Sequence, residues 1–249
     1  GVNDAVVNYT VKYTDSEGED IEGQPVDAGT YTLHIETEDP NYAPYTYTTE
    51  FTITPRPITV EWDVPTLVYN GEDQLSEVTA KYFVYEDGSL SATNSVDLSV
   101  ALQGGGSMID AGTYTAEAAF KAADGNYTLS GATNPTTSVT VSPRHIVVTI
   151  ENKTSEYGDA LQTLTATETL GTVADWTNDG KGAIVPGDAK PYRLYIQGYT
   201  GGHLAVGSHN IFGSAEAEEG GAIDANYDVE FRDGTEQANH GVYTVTPRA

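Results

Sequence analysis

Three stretches of this chain carry the same string: FTITPRPITVEW from Phe51, VTVSPRHIVVTI from Val139 and YTVTPRA from Tyr243. Whatever fold contains that string must therefore be built more than once. The intervals from Arg56 to Arg144 and from Arg144 to Arg248 are domain-sized, far above the ~20 to 50 residues of a solenoid repeat. Two further landmarks recur in fixed order upstream of each junction. DAGTYTL at 27–33 matches DAGTYTA at 110–116, and AVGSHNI at 205–211 is a diverged third copy. An Asn-Tyr pair comes next each time, Asn41-Tyr42, Asn126-Tyr127 and Asn226-Tyr227, two residues after Asp39, Asp124 and Asp224. A fourth landmark, VYNGED at 68–73 and SEYGDA at 155–160, has no counterpart in the first copy. There, 9–18 aligns instead with 79–88.

These landmarks divide the chain into a partial module at 1–56 lacking its opening strand, a second at 57–143, and a third at 144–249 with longer loops. On this reading the chain opens inside one module and closes just into another. Within each, small or polar residues alternate with β-branched or aromatic ones, as in Thr46-Tyr47-Thr48 and Ser138-Val139-Thr140-Val141, the period-2 pattern of half-buried strands. Asn70-Gly71, Asp87-Gly88, Asp124-Gly125 and Asp233-Gly234 punctuate them. Short strands at this spacing predict an all-β sandwich or barrel, with small β-grasp-like modules as the alternative. AEAAFKAA at 116–123 favours helix by propensity, but its strand-like repeat counterpart overrules that.

The glycine of each middle landmark, Gly29, Gly112 and Gly207, is expected at a positive-φ turn. Pro55, Pro143 and Pro247 lack an amide donor and hold the preceding residue extended, so each seam should be short and stiff. Arg56, Arg144 and Arg248 come directly after them, and in an acidic chain a guanidinium at each seam suits bridging carboxylates of neighbouring modules.

That acidity is pronounced: 37 acidic against 11 basic side chains, a formal charge of −26. Nucleic acid, which demands a basic footprint, is excluded as a partner. There is no cysteine, hence no disulfide, thiol catalysis or zinc-thiolate site. No apolar run reaches membrane-spanning length. The five histidines lack paired metal spacing, and Gly106-Ser107 lacks the glycine of a nucleophile elbow, so no catalytic residue is assigned. Asp15, Glu17, Glu19 and Asp20, and the late cluster Glu216, Glu218 and Glu219, would tolerate calcium. Neither has the EF-hand pattern, and no cofactor or metal is predicted.

The order YGD, AGTY, NY and TPR resembles the MBG and YDG-type modules, Ig-like repeats of large bacterial cell-surface, adhesin-like proteins. The resemblance implies tandem Ig-like β-sandwiches arranged end to end in an elongated array. It also implies an extracellular, non-enzymatic stalk or scaffold at the bacterial cell surface, whose partners are further modules of the same chain. The alternative is an adhesin region recognising a host glycan or extracellular protein through the third module's longer segment at 170–204. There Trp176, Tyr192, Tyr195 and Tyr199 would form a platform for sugar rings, although aromatics on alternating strand positions more often face a core.

Overall fold

A computed structural model describes residues 7–86, 88–122, 124–216, 223–234 and 239–249. Asp87, Ala123, Glu218 and Glu219, singled out above, lie outside the described residues.

The protein is all-β. In chain order the strands are β1 (Tyr9–Thr14), β2 (Asp20–Ile21), β3 (Gly29–Thr37), β4 (Thr46–Ile53), β5 (Arg56–Thr59), β6 (Glu61–Asp63), β7 (Leu67–Val68), β8 (Thr79–Glu86), β9 (Ser89–Leu102) and β10 (Gly112–Phe120). Next come β11 (Tyr127–Thr133), β12 (Thr136–Ser142), β13 (Arg144–Ile150), β14 (Lys153–Glu156), β15 (Ala166–Leu170), β16 (Arg193–Ile196), β17 (Gly207–Ser214), β18 (Tyr227–Asp233) and β19 (His240–Thr246). Among the described residues the one helical element is a 3-10 turn at Leu75–Glu77, and no helix is long and apolar enough to cross a membrane.

The chain divides into two compact units, one made of Gly1–Asp63, Thr79–Val100 and Glu117–Thr137, the other of Val64–Val78, Ala101–Ala116 and Ser138–Ala249. Three of the five cuts fall inside β9, β10 and β12, the other two directly after β6 and directly before β8, and none at a Pro-Arg junction.

In the first unit, β1 to β4 form one antiparallel sheet in the order β2-β1-β3-β4. This departs from the alignment of 9–18 with 79–88. β1 lies directly beside β3, the place β9 takes beside β10, whereas β8 is one strand further out. The two-residue β2 pairs with the outer edge of β1. The unit's core lies further along the chain, where Ile58 of β5 and Val60 just after it pack with Ala80 and Tyr82 of β8, Leu98 of β9 and Ala118 of β10. Leu129 and Tyr127 of β11 complete it. β5 and β11 pair in parallel, Arg56 opposite Tyr127.

The second unit repeats that pairing. β13 runs parallel to β18 with Arg144 opposite Tyr227, and β15 flanks it in the order β15-β13-β18. Against this lies the sheet β14-β19-β17-β16. Ile150, Ile196, Ile211, Tyr243 and Val245 are buried between them, with Phe231 packed alongside. Gly213 exists for this packing, since a Cβ there would stand 2.0 Å from the Phe231 ring.

The segment with helical propensity is strand through Phe120. Ala116 and Ala118, two residues apart, are both buried, so alternating burial outweighs a local preference worth only tenths of a kcal/mol per residue.

Candidate functional site

The landmarks meet at the two junctions, and they meet in the same way. At the first, Asn126 Oδ1 accepts from the Ala28 amide at 2.6 Å while its Nδ2 donates to Asp27 Oδ1 at 2.8 Å. Its carbonyl accepts from the Arg56 amide at 2.8 Å. At the second, Asn226 Oδ1 accepts from the Ala111 amide at 2.6 Å, Nδ2 donates to Asp110 Oδ1 at 3.1 Å, and its carbonyl accepts from the Arg144 amide at 2.8 Å. One asparagine thus satisfies both groups of an Asp-Ala dipeptide and the first amide after the junction proline. Each asparagine is presented by an Asx turn, its own amide donating to Asp124 or Asp224 Oδ1 at 2.9 Å. Asn41 makes the same turn on Asp39, but its side chain folds back to that aspartate at 3.0 Å.

The Ala-Gly-Thr-Tyr string has a separate role. Tyr31 Oη donates to the Asp27 carbonyl at 2.9 Å and Tyr114 Oη to the Asp110 carbonyl at 2.8 Å, each four residues upstream. In the diverged copy His209 Nε2 bonds the Ala205 carbonyl at 2.8 Å. This corner, formed when a ring folds back over its own chain, pins the start of β3, β10 and β17. It also corrects the expectation for the glycines. Gly207 has φ of 136°, but Gly29 and Gly112 are not at positive φ. They open their strands, and what Gly29 supplies is room, since a Cβ there would lie 3.1 Å from Tyr31 Oη. At Gly112 the nearest ring atom would be 3.8 Å away.

The three arginines diverge. Arg144 is fully buried. Its Nη1 and Nη2 donate to the two carboxylate oxygens of Asp179 at 2.9 and 2.8 Å, and further bonds reach the carbonyls of Tyr69, Gly182 and Ala183. The Trp176 ring lies 5.4 Å from its guanidinium carbon. The guanidinium holds the Asp179 carboxyl below the ordinary carboxylate range. Arg56 is exposed and stacks 3.8 Å over Tyr85. Arg248 pairs with Asp159 and, at 3.7 Å, with Glu156. The proline links are as short as expected, Thr54-Pro55 between β4 and β5 and Pro143 alone between β12 and β13; Pro247 comes directly after β19.

A tyrosine network closes the second junction. Tyr69 and Tyr227 both donate to Asp188 Oδ2, at 2.9 and 2.6 Å, and Tyr227 Oη accepts from the Val185 amide at 2.9 Å. Burial, then the bond to Asp188, pushes Tyr69 up to about 12 and Tyr227 higher still. At the first junction Tyr127 Oη accepts from the Tyr85 amide at 2.7 Å, and burial followed by a bond to Asp124 lifts Tyr82 to about 12.

The four proposed platform aromatics have four different surroundings. Trp176 belongs to the Arg144 cluster. Tyr192 is buried at 2% exposure, bonded to Glu168 and edge-on to Phe231, and burial raises it to about 12. Tyr195 is exposed beside Phe212, and Tyr199 donates to the Gly202 carbonyl at 2.9 Å. Tyr192 serves the interior, and the half-buried Trp176 lies against the Arg144 guanidinium. Asp179, Asp188 and Tyr69 were not singled out for the junction by sequence reasoning. The available signal was that Asp-Ala and Asn-Tyr recur together with Pro-Arg.

Of the acidic cluster, Asp15 Oδ1 accepts from the amides of Glu17 and Glu19, both at 2.9 Å, so one carboxylate closes the β1–β2 turn. Among the described residues no group of three or more His, Asp or Glu is placed to hold a metal ion.

No family model matches this chain, nor does any curated protein. Among solved structures it is similar to the Bacteroides ovatus mixed-linkage glucan utilization locus SGBP-B in complex with a mixed-linkage heptasaccharide. Identity is 16% and the TM-score 0.22, over 96% of this chain and 60% of that one, so the chain spans less than two thirds of that protein's length.

Proposed function

We propose that this chain is a non-enzymatic spacer of a bacterial cell-surface protein, built from a partial module at 1–56, a second at 57–143 and a third at 144–249 of the MBG/YDG type. The observation that carries the reading is the clasp formed twice, Asn126 on Asp27-Ala28 and Asn226 on Asp110-Ala111. A residue that satisfies two polar groups and then the first amide of the next strand orients the chain beyond the proline, which is the requirement of a spacer transmitting reach and force. The net charge of −26 favours the colloidal stability such a segment needs.

Small-angle scattering on the intact chain, alone and with Asn126→Ala and Asn226→Ala combined, tests the reading. An elongated profile that gains flexibility in the double variant is expected. A globular profile unchanged by the substitutions, or saturable binding on a glycan array abolished by Trp176→Ala, would overturn it.

A further inference from the structure

The last strand of the second and third sequence copies never stands at the end of its sheet. β12 is flanked by β7, running parallel with Leu67 opposite Val141 and Val68 opposite Ser142, and the Tyr69 amide then donates to the Ser142 carbonyl at 2.9 Å. β19 is flanked by β14 in the same sense, and the Tyr157 amide donates to the Thr246 carbonyl at 2.9 Å. Both added strands run into the aromatic-Gly-acid landmark, Tyr69-Asn70-Gly71-Glu72 and Tyr157-Gly158-Asp159. β4 is the counterpart in the first copy, with Thr54 in the place of Ser142 and Thr246, each just before Pro-Arg. Among the described residues β4 pairs with β3 alone, and its other edge is open.

The surroundings of that edge suit a strand of the β7 and β14 kind. Tyr31 is the one buried residue of the β1–β4 sheet among those described. On its face at that end of β4 the register places Phe51 and Ile53, both half-buried. Beyond the end of β4, Val26, Ile53, Thr54, Arg56 and Tyr85 line a groove of about 360 Å³. The junction arginine grips the landmark in both other copies, Arg144 Nη1 on the Tyr69 carbonyl at 3.1 Å and Arg248 on Asp159. Arg56 lines the groove together with Asp27, stacked on the Tyr85 ring, and no ion pair holds it among the described residues.

We propose that the free edge of β4 and the Arg56 groove form a docking site for an extended peptide of the Leu67–Glu72 kind, an aliphatic pair followed by Tyr, Gly and an acid. The peptide enters parallel to β4 by strand addition, its backbone pairing with the edge, its first aliphatic residue opposite Ile53 and its carboxylate meeting Arg56 as Asp159 meets Arg248. This goes beyond the spacer reading and survives if that reading fails.

The test uses the intact chain and a labelled synthetic peptide with the sequence of residues 64–74, VPTLVYNGEDQ. Fluorescence anisotropy should show saturable binding absent with a scrambled peptide, and hydrogen exchange should slow over β4 and residue Thr54. Replacing the peptide's glutamate by glutamine should weaken binding by about fivefold, as for a partly exposed ion pair, without altering the protein. No saturable binding, protection lying elsewhere than β4, or affinity indifferent to peptide sequence would overturn the proposal. So would sedimentation showing that the chain alone dimerises with its β4 amides already protected.

Discussion

Asn226 and Asp110 are separated by 116 positions, yet the amide of one donates to the carboxylate of the other at 3.1 Å. Asn126 and Asp27, 99 positions apart, stand in the same relationship. Two independent occurrences make the contact a rule of this chain, and the consequences can be measured.

Changing Asn226 to alanine removes the acceptor for the Ala111 amide and the donor to Asp110, a loss of about 1–3 kcal/mol. Asn226→Asp should be worse at neutral pH, because two carboxylates would then face each other, and acidification should recover part of the difference. Urea unfolding of both variants across pH checks this.

Arg144→Ala should destabilise by about 3–5 kcal/mol, since it strands Asp179 and three carbonyls around a vacated interior site. Arg144→Lys should not restore it, because an ammonium cannot fork to both oxygens of Asp179. Arg56→Ala, at the same position of the sequence repeat, should cost no more than about 1 kcal/mol. Chemical denaturation of the three variants should separate them clearly.

Two pH effects have opposite signs. Asp179 is held below the ordinary carboxylate value of 3.8, so its contribution is present above that value and is lost as pH falls through its lowered one. Arg144→Ala should flatten that acid limb. Tyr69, Tyr82 and Tyr192 are raised from 10.0 to about 12, so their contribution is complete below 10 and disappears as pH rises towards 12. An ultraviolet titration of phenolate formation should find these tyrosines ionising late and together with unfolding.

The glycines of identical strings should respond differently to alanine. At Gly112 the new methyl meets ordinary contact distance and the change should be tolerated. At Gly29 it meets Tyr31 Oη at 3.1 Å and the corner must shift. Gly213→Ala, driving a methyl to 2.0 Å from the Phe231 ring, should cost about 3 kcal/mol. Thermal melts of the three variants rank them.

The amino-acid order alone determined the strand character of nearly every segment, the landmarks and their sequence along the chain, and the short proline links. Each of these is local or self-similar, written in side-chain alternation, in proline's missing amide, or in strings repeated within one chain. Only the tertiary structure decided what the landmarks do. Asp-Ala and Asn-Tyr lie about a hundred positions apart and become neighbours only when β5 and β13 pair with β11 and β18. The same distinction separates Arg144 from Arg56: the string around them is shared, but the acid and the tryptophan that enclose Arg144 belong to a long segment whose path no local pattern specifies. Trp176 and Tyr192 were therefore legible as an aromatic cluster open to a core or a platform role, because composition reports which side chains are available and packing alone assigns which way each one faces.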